Sequence, residues 1–270
     1  MATPIGNLGD VSERMVGALR DADLIAAEDT RRTRALLSHL DIPAAGRLRS
    51  MHAHNEETVA REIVDEAERG ARVVYVTDAG MPGISDPGER LVRVASGAGV
   101  PVEVVPGPNA ALTALVLSGL PAERFVFEGF LPRKGRARAE RLDALAAEHR
   151  TSILYESPNR VVALVGDLAA ELGSDRRVTL VRELTKVHEE VWRGTVGEAV
   201  EHLAGREPRG EYVVVVEGAP PVEVPESDVR DAVAAALDRG ATGRDAADEV
   251  ATSLGVPRNL AYRIATELKN

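Results

Sequence analysis

The chain has 270 residues, of which 44% are hydrophobic and 28% charged, which predicts a soluble globular protein with two medium-sized domains and space for a small appendage. It has no cysteine, which excludes disulfides, thiolate metal sites and cysteine nucleophiles, and no apolar run near the roughly 18 residues of a membrane span, so we expect a cytoplasmic protein. The net charge of −10 argues against indiscriminate nucleic-acid binding but leaves open a local basic patch.

The first 120 residues alternate short apolar runs with amphipathic stretches. Helices are predicted over 12–22, 31–40, 55–69, 89–99 and 109–120, and strands over 24–29, 72–78 and 100–107. Asn109 stands at the capping position of the last of these helices. Strands that alternate with helices of this length predict a largely parallel α/β sheet.

The second half continues the alternation with more strands. We predict strands over 124–131, 150–157, 176–184, 189–196 and 210–218, and helices over 137–149, 159–172 and 197–204. The strands 176–184 and 189–196 are close enough along the chain to pair antiparallel, so this sheet is expected to be mixed. We therefore predict an N-terminal α/β domain over 1–120 and a second α/β domain over 121–219.

Residues 220–270 are predicted to form a small helical domain after the proline-rich linker "APPVEVPES". Three helical segments, 228–238, 243–254 and 257–268, follow in a layout similar to a helix-turn-helix. Thr242 and Asp245 resemble a capping box. Two interpretations stay open: nucleic-acid binding, against which the excess of acidic residues counts, or an appendage that covers apolar surface or a partner chain.

Four loops rich in glycine, proline and small residues, 3–10, 78–88, 106–110 and 155–160, are expected at strand ends. Open α/β sheets bind ligands at the carboxyl ends of their strands, and small residues let the backbone approach a ligand closely. One such loop is a weak signal, whereas four predict a shared cleft. The chain lacks G-x-G-x-x-G and the P-loop motif, so the residues alone predict only a cleft for a small polar ligand between two α/β domains.

Nine segments, in order from residue 2 to about 218, resemble a known family. They include "ATPIGNLGD", "AAEDTRRTRALL", "TDAGMPGISDPG", "VPGPNAALTAL", "YESPNR" and "RELTKVHEE". Together they are similar to the bacterial 16S ribosomal RNA ribose-2′-O-methyltransferases I, a branch of the tetrapyrrole methylase (class III methyltransferase) fold. Family members carry a few more apolar residues before "ATPIGNLGD", which form a first strand, so we expect a misassigned or shortened start.

The resemblance implies that S-adenosylmethionine binds in the cleft between two tetrapyrrole-methylase-like α/β domains. It implies 2′-O-methylation of a decoding-centre cytidine in the small ribosomal subunit, cytidine 1402 in bacterial numbering, by a homodimer without a membrane partner. The bare loop 78–88 would then let its backbone hold the methionine end of the cofactor. The cofactor contacts implied by the fold are Pro4, Ala79, Gly80, Met81, Ile84, Asn109, Ala110, Tyr155 and Glu156.

A ribose hydroxyl is a weak acid, so a base within hydrogen-bond reach would help to remove its proton. We expect this base among Glu28, Asp29 and Lys186. The simpler alternative for Asp29 is that it caps the following helix, and Lys186 could instead hold phosphate as a cation. The segment "HAHNE" (52–56) offers further polar groups, but a lone histidine is more often a structural hydrogen-bonding residue than a catalyst, and Asn55 is placed to cap the following helix. The histidines show no spacing typical of metal ligands, and we expect no metal.

Basic residues that could contact RNA are Arg31, Arg32, Arg133, Lys134, Arg136 and Arg138. A solvated helix surface is the plain alternative for such a run. Aromatic residues are few, so we expect recognition through the shape of the RNA and its 2′-hydroxyls rather than through base stacking. An extruded nucleotide is a further hypothesis, because the target oxygen must meet a buried methyl group.

Two rival functions remain at this point. One is methylation of a small tetrapyrrole or corrin precursor on the same fold, against which "AEDTRRTR", "ESPNR" and the C-terminal appendage count, because they resemble the RNA branch. The other is a non-enzymatic nucleic-acid-binding regulator built on the helix-turn-helix-like tail.

Overall fold

The strands of the chain form two separate sheets. The computed structural model describes residues 1–44, 46–220 and 224–269. Both sheets lie in one compact unit, Met1–Ala219, and a second unit, Pro220–Asn270, is helical. The α/β fold class and the helical C-terminal region are confirmed, while the predicted domain boundary near residue 120 stays a prediction.

The first sheet is parallel and has three strands in the order β2-β1-β3. Its strands and the helices between and around them are β1 (Leu24–Ala27), β2 (Leu48–Ser50), β3 (Val73–Val76), α1 (Glu13–Asp21), α2 (Thr30–His39), α3 (Glu56–Glu68) and α4 (Glu89–Gly97). Leu19, Ile25, Leu37 and Val76 are fully buried in the core that joins sheet and helices. Because β1 and β3 are parallel neighbours, the chain leaves both strands at the same edge of the sheet.

The strand predicted over 100–107 is wrong. Among the described residues, one backbone hydrogen bond joins this segment to a distant part of the chain, from the N–H of Ala2 to the carbonyl of Val105 (3.0 Å), and the N–H of Val100 bonds the preceding helix at Ala95 (2.9 Å). Val102 and Val104 are 45% and 56% exposed. A run of alternating valines becomes a strand only where a neighbouring strand offers a hydrogen-bond ladder and a buried face. The sequence pattern also missed β2, which has only three residues.

The second sheet is mixed, with five strands in the order β4-β5-β8-β6-β7. The strands are β4 (Phe125–Gly129), β5 (Thr151–Glu156), β6 (Arg177–Arg182), β7 (Glu190–Thr195) and β8 (Tyr212–Val216). Strands β4 and β5 are parallel, and the other pairs are antiparallel, which confirms the predicted pairing of β6 with β7. All five residues of β8 are buried, as expected of a central strand.

Helices cover both faces of this sheet. One face carries α6 (Arg136–Ala147), α7 (Pro158–Leu172) and α8 (Val196–Leu203) over a core that includes Leu154 and Leu164. The other face carries α5 (Ala110–Ser118), whose Ala114 and Leu115 pack with Ile153 and Val215. Helix α5 precedes β4 in the chain yet packs on the second sheet, and its capping residue Asn109 lies beside that sheet's strand ends.

The helical unit consists of α9 (Glu226–Asp238), α10 (Gly243–Leu254) and α11 (Arg258–Lys269), close to the predicted bounds. The Thr242 hydroxyl accepts the Asp245 N–H, but Asp245 bonds the hydroxyl rather than the Thr242 N–H, so only half of the predicted capping box forms. Four arginines of this unit form ion pairs with its own carboxylates: Arg230, Arg239, Arg258 and Arg263. These pairs reduce the free positive charge and favour the appendage interpretation.

Within the described ranges, no helix has both the length and the apolar character needed to cross a bilayer. The same part of the chain contains no cluster of three or more histidine, aspartate or glutamate side chains suited to a metal ion.

Candidate active site

Loops at the strand ends of both sheets line one cavity of about 560 Å³, a volume typical of small-molecule sites. The first sheet contributes Glu28, which follows β1, and Asp78, which follows β3. The second sheet contributes Tyr155 at the end of β5, Lys186 after β6 and Glu211 before the antiparallel β8. The shared cleft that the four loops predicted therefore exists as a single cavity.

Eight of the nine predicted cofactor residues line this cavity: Ala79, Gly80, Met81, Ile84, Asn109, Ala110, Tyr155 and Glu156. Pro4 does not. It lines a neighbouring cavity, while the next residue, Ile5, reaches the main one. Their role as cofactor contacts stays a prediction, and the structure brings all but Pro4 to one place.

The glycines of the loop 78–88 have conformational roles. Gly80 has φ +79° and pairs with Thr3 through both of its backbone groups (3.0 and 3.1 Å), and a Cβ there would lie 3.3 Å from Ile5. Gly88 has φ +134°, and a Cβ there would lie 2.9 Å from the ring of Tyr75. Both positions favour glycine because φ is positive and a Cβ would crowd the nearby side chains of Ile5 and Tyr75. The backbone N–H and carbonyl of Gly80 already bond Thr3, so backbone hydrogen bonds to a ligand would have to come from adjacent residues.

Two acidic residues tie the ends of β1 and β3 together. The Asp78 N–H donates to the Glu28 carboxylate (3.2 Å), and the Asp29 N–H donates to the Asp78 carboxylate (3.0 Å). Arg32 lies 3.6 Å from the other oxygen of Asp78. The two carboxylates are thus held in the cavity wall by backbone donors, with one guanidinium nearby.

Asp86 also lines the cavity and was not among the predicted site residues. Burial, followed by the nearby charges of Glu28, Asp78 and Glu211, raises its pKa to about 7. Within the described part of the chain its carboxylate has no hydrogen bond or ion pair. In the sequence, Asp86 has the pattern of an ordinary turn residue before Pro-Gly. It could have been predicted because it is the second aspartate, after Asp78, in a loop already assigned to the cleft.

Lys186 is held between two carboxylates. Its ammonium donates to Glu183 (2.7 Å) and to Glu211 (2.9 Å). Burial alone would lower the pKa of Lys186, but these two hydrogen bonds outweigh burial, and the pKa is raised. A base needs a lowered pKa, so this geometry favours the cationic role for Lys186.

Sequence comparisons identify the relatives of this chain. A profile of the Tetrapyrrole (Corrin/Porphyrin) Methylases matches residues 2–200. A Ribosomal RNA small subunit methyltransferase I of Synechocystis sp. is 43% identical over 272 residues, which cover 100% of this chain and 97% of the relative. Its counterpart of Mycobacterium bovis is 47% identical over 255 residues, which cover 93% and 88%. The chain belongs to the ribosomal RNA small subunit methyltransferase I family.

The family resemblance predicted from the nine segments is confirmed. The fold is also that of the crystal structure of uroporphyrin-III-C-methyltransferase from Thermus thermophilus, with a TM-score of 0.55 and 20% identity over 78% of this chain and 90% of that one. At this identity the likeness shows the fold alone. It confirms the predicted tetrapyrrole-methylase architecture of this family member.

Several residues that the resemblance placed in the family's site also have structural partners. Glu156 is 2% exposed, and its carboxylate meets Arg160 (2.8 Å) and the N–H of Ser157 (2.8 Å). The Tyr155 hydroxyl accepts the N–H of Ala111 (3.1 Å) at the start of α5. The Asn109 side chain caps α5, as predicted. These residues therefore shape the cavity wall whether or not they touch a ligand.

Asp29 caps helix α2, the simpler of the two interpretations that the sequence left open. Its carboxylate accepts the N–H of Arg31 (2.8 Å) and pairs with the Arg31 guanidinium (2.8 Å). The side-chain hydrogen bond with Arg31 lowers the pKa of Asp29 to about 2. Asp29 is absent from the cavity wall, whereas Glu28 and Lys186 are part of it.

The "HAHNE" segment does not line the cavity but holds the end of the loop 78–88. The Glu56 carboxylate accepts the N–H groups of Gly88 (2.9 Å), Arg90 (3.1 Å) and Leu91 (3.4 Å), and so caps α4 in place of a local side chain. Asn55 does not cap α3; its amide oxygen accepts the N–H of His52 (2.8 Å) instead. Glu56 therefore fixes the point at which the loop 78–88 ends.

The predicted RNA contacts divide into two groups. Arg31, Arg32, Arg133, Lys134 and Arg136 are exposed. Arg138 is not: its side chain is only 12% exposed, and it bonds Asp167 (2.6 Å) and the carbonyl of Pro132 (2.9 Å). Because its guanidinium already bonds Asp167 and Pro132, Arg138 stabilises the start of α6 and is a poor candidate for contacting RNA.

Proposed function

We propose that this chain transfers a methyl group from S-adenosylmethionine to the ribose 2′-oxygen of the decoding-centre cytidine of the small-subunit ribosomal RNA. The observation that carries the proposal is the acidic cavity at the strand ends of a chain that is 43–47% identical to proteins named Ribosomal RNA small subunit methyltransferase I. Such a substrate implies action on ribosomal subunits in the cytoplasm.

The cavity suits a cationic cofactor. S-adenosylmethionine bears an ammonium and a sulfonium, and its bound sulfonium supplies an electrophilic methyl group that leaves a neutral thioether after transfer. Glu28, Asp78 and Asp86 line the same cavity, and Asp86 has a raised pKa because burial and like charges surround it. A positive group beside Asp86 would relieve this repulsion. The apolar side chains of Met81 and Ile84 offer contacts for the rest of the cofactor.

We propose Glu28 as the base that takes the proton of the 2′-hydroxyl. Of the three candidates, Asp29 caps α2 outside the cavity and Lys186 is held as a cation. The Glu28 carboxylate faces the cavity and is oriented by the N–H of Asp78 (3.2 Å). General base catalysis of this kind contributes about 10²–10⁴-fold to the rate, and alignment of the acceptor contributes the rest.

We propose that exposed cations hold the RNA: Arg31, Arg32, Arg133, Lys134 and Arg136. Lys186 instead orients the carboxylates of Glu183 and Glu211 at the cavity. The homodimer that the resemblance implied also belongs to this proposal. Leu112 and Val116, one turn apart on α5, are 49% and 80% exposed, and light scattering on the purified protein tests the dimer directly.

The decisive experiment incubates the protein with labelled S-adenosylmethionine and small ribosomal subunits from a strain without this mark, followed by nucleoside mass spectrometry. We expect label in 2′-O-methylcytidine. Label in another nucleoside would contradict the acceptor assignment. Absence of RNA label, with label in a uroporphyrinogen or corrin precursor instead, would favour the small-molecule rival.

The base is tested by conservative variants. Glu28→Gln should lower kcat by about 10²-fold or more, with little change in the Kd of S-adenosylmethionine, because only proton removal is lost. Lys186→Arg should keep most activity if Lys186 acts as a cation. If instead Lys186→Arg abolishes turnover and Glu28→Gln does not, Lys186 is the base and the assignment is reversed.

A further inference from the structure

A second cavity of about 300 Å³ adjoins the first one. One wall is a face of helix α2 formed by Arg32, Ala35, Leu36 and His39. Another part of the wall is Leu8, from the short 3-10 helix Leu8–Asp10 of the first loop.

The two cavities have a common boundary. Arg32 and Asp78 line both of them. Glu28 lies in the first cavity and bonds the N–H of Asp78 (3.2 Å), so its carboxylate stands at that boundary. A ligand in the second cavity would therefore reach the reacting end of the first one past Arg32 and Asp78.

The lining of the second cavity combines apolar faces with polar ends. Pro4, Leu8 and Leu36 offer apolar surface, while Arg32 and His39 stand one and a half to two turns apart along α2. A nucleotide has the same division, with a flat base that has polar edges and a charged phosphate. A volume of about 300 Å³ lies at the small end of ligand sites and suits one nucleotide rather than a larger molecule.

Charge at the rim agrees with this ligand. The Arg32 side chain is 67% exposed and lies 3.6 Å from Asp78, a separation at which an exposed ion pair is weak. Its guanidinium can therefore turn to a phosphate with little loss. Arg31, 86% exposed on the same helix, adds a second cation.

We infer that the second cavity binds the acceptor nucleotide of the RNA, extruded from its helix, with the ribose at the Arg32–Asp78 boundary. The inference rests on the proposed function. A cavity of about 300 Å³ has space for a single nucleotide but not for a stacked helix, so the nucleotide must leave its helix to enter. Arg32 is then the residue that holds the nucleotide's phosphate, and Glu28 meets its 2′-hydroxyl.

A space-filling substitution tests the site. Ala35 is exposed and small, and it lines the second cavity but not the first. Ala35→Trp should raise the KM for small ribosomal subunits by about tenfold or more, because the indole fills the space that the nucleotide needs, and leave the Kd of S-adenosylmethionine within about twofold. Ser38→Trp, exposed on the same helix but outside both cavities, is the matched control and should change neither constant.

Three outcomes would overturn the inference. If Ala35→Trp and Ser38→Trp give the same KM with subunits that the wild-type protein methylates, the cavity does not hold the acceptor, although the proposed function stands. If Ala35→Trp weakens cofactor binding equally, the cavity belongs to the cofactor. If the wild-type protein methylates no RNA, the proposed function fails and takes the inference with it. Leu8→Trp fills the same cavity from a different segment of the chain and replaces Ala35→Trp if that variant does not fold.

Discussion

The two sides of the main cavity carry similar numbers of carboxylates but treat them differently. On the side of the second sheet, Glu156 is matched by Arg160. Lys186 matches Glu211 and also Glu183, which lies next to the cavity wall. On the side of the first sheet, Glu28 and Asp78 accept backbone N–H groups, and Asp86 has no partner in the described part of the chain. The guanidinium of Arg32 lies on this side, 3.6 Å from Asp78.

This difference separates carboxylates that stabilise the fold through ion pairs from carboxylates that are available to bind a cationic ligand. A buried carboxylate with an ion-pair partner is a structural unit, because removal of either member leaves a costly isolated charge. A carboxylate whose pKa is raised by burial and by like charges is unfavourable in its ionised form, and a bound cation stabilises that form. The ligand-binding acid of this cavity is therefore expected on the first sheet's side.

The largest effect should come from the structural side. Arg160→Ala leaves the Glu156 carboxylate, which is 1% exposed, without its cation, and the free energy of unfolding should fall by about 3 kcal/mol. Arg136→Ala is the matched control, because Arg136 also pairs at i,i+4, with Glu140, but both side chains are more than half exposed. Its loss should stay below about 0.5 kcal/mol. Urea unfolding measures both, and equal losses would remove the distinction.

On the ligand side, Asp86→Asn should weaken S-adenosylmethionine binding about tenfold at pH 8, as expected for one lost charge contact. Calorimetric titration measures the Kd, and Asp143→Asn, an exposed change of equal charge on α6, is the control. Cofactor affinity of the wild type should rise as pH increases through about 7, because Asp86 ionises there. Asp86→Asn should lose this dependence; an unchanged profile would assign it to another group.

The same residue should oppose stability in the ligand-free protein. The pKa of Asp86 is raised from 3.8 to about 7 on folding. Between these values the folded protein binds more protons than the unfolded chain, so stability falls as pH rises through this interval. Asp86→Asn removes that loss and should raise the Tm at pH 8 while it weakens binding. A lower Tm would show that the carboxylate has a stabilising partner.

A smaller effect should follow from the support behind the cavity. Glu56→Ala removes the cap of α4 and should cost about 1 kcal/mol of unfolding free energy and weaken cofactor binding severalfold, since the loop 78–88 ends at that cap. Glu56→Gln keeps an oxygen acceptor and should restore most of both. Glu57→Ala, which removes only a pair with Arg90, is the control. Normal cofactor affinity in Glu56→Ala would show that the loop holds its shape without the cap.

The smallest effect is expected at Asp29. Asparagine also caps helices, and Asp29 lies outside the cavity wall, so Asp29→Asn should change the initial rate of methyl transfer by less than about twofold. Glu28→Gln, one residue earlier, should lower it far more. A comparable loss in the two variants would return Asp29 to the list of bases and blur the division between structural and ligand-facing acids.

Much of the fold was predictable because its signals are local. Apolar periodicity placed α2, α7 and β8 nearly at their observed bounds, and Asn109 marked the start of α5. Short strands were less predictable, because pairing depends on distant residues: β2 was missed, and the alternation over 100–107 did not form a strand. The loop residues of the cavity were predictable as a group because strand ends of a parallel sheet meet at one edge.

The sequence by itself determined the family, the alternation of strands and helices, and the set of loops that meet at the cavity. Only the tertiary structure decided which acids are matched: Glu156 by Arg160, and Asp86 by no described residue. It also showed that Gly80 has φ +79° while its backbone pairs with Thr3, a conformation that favours glycine. The reason is that helix and strand signals lie within a few residues, whereas the charge state of a carboxylate depends on burial and on charges brought near it by folding.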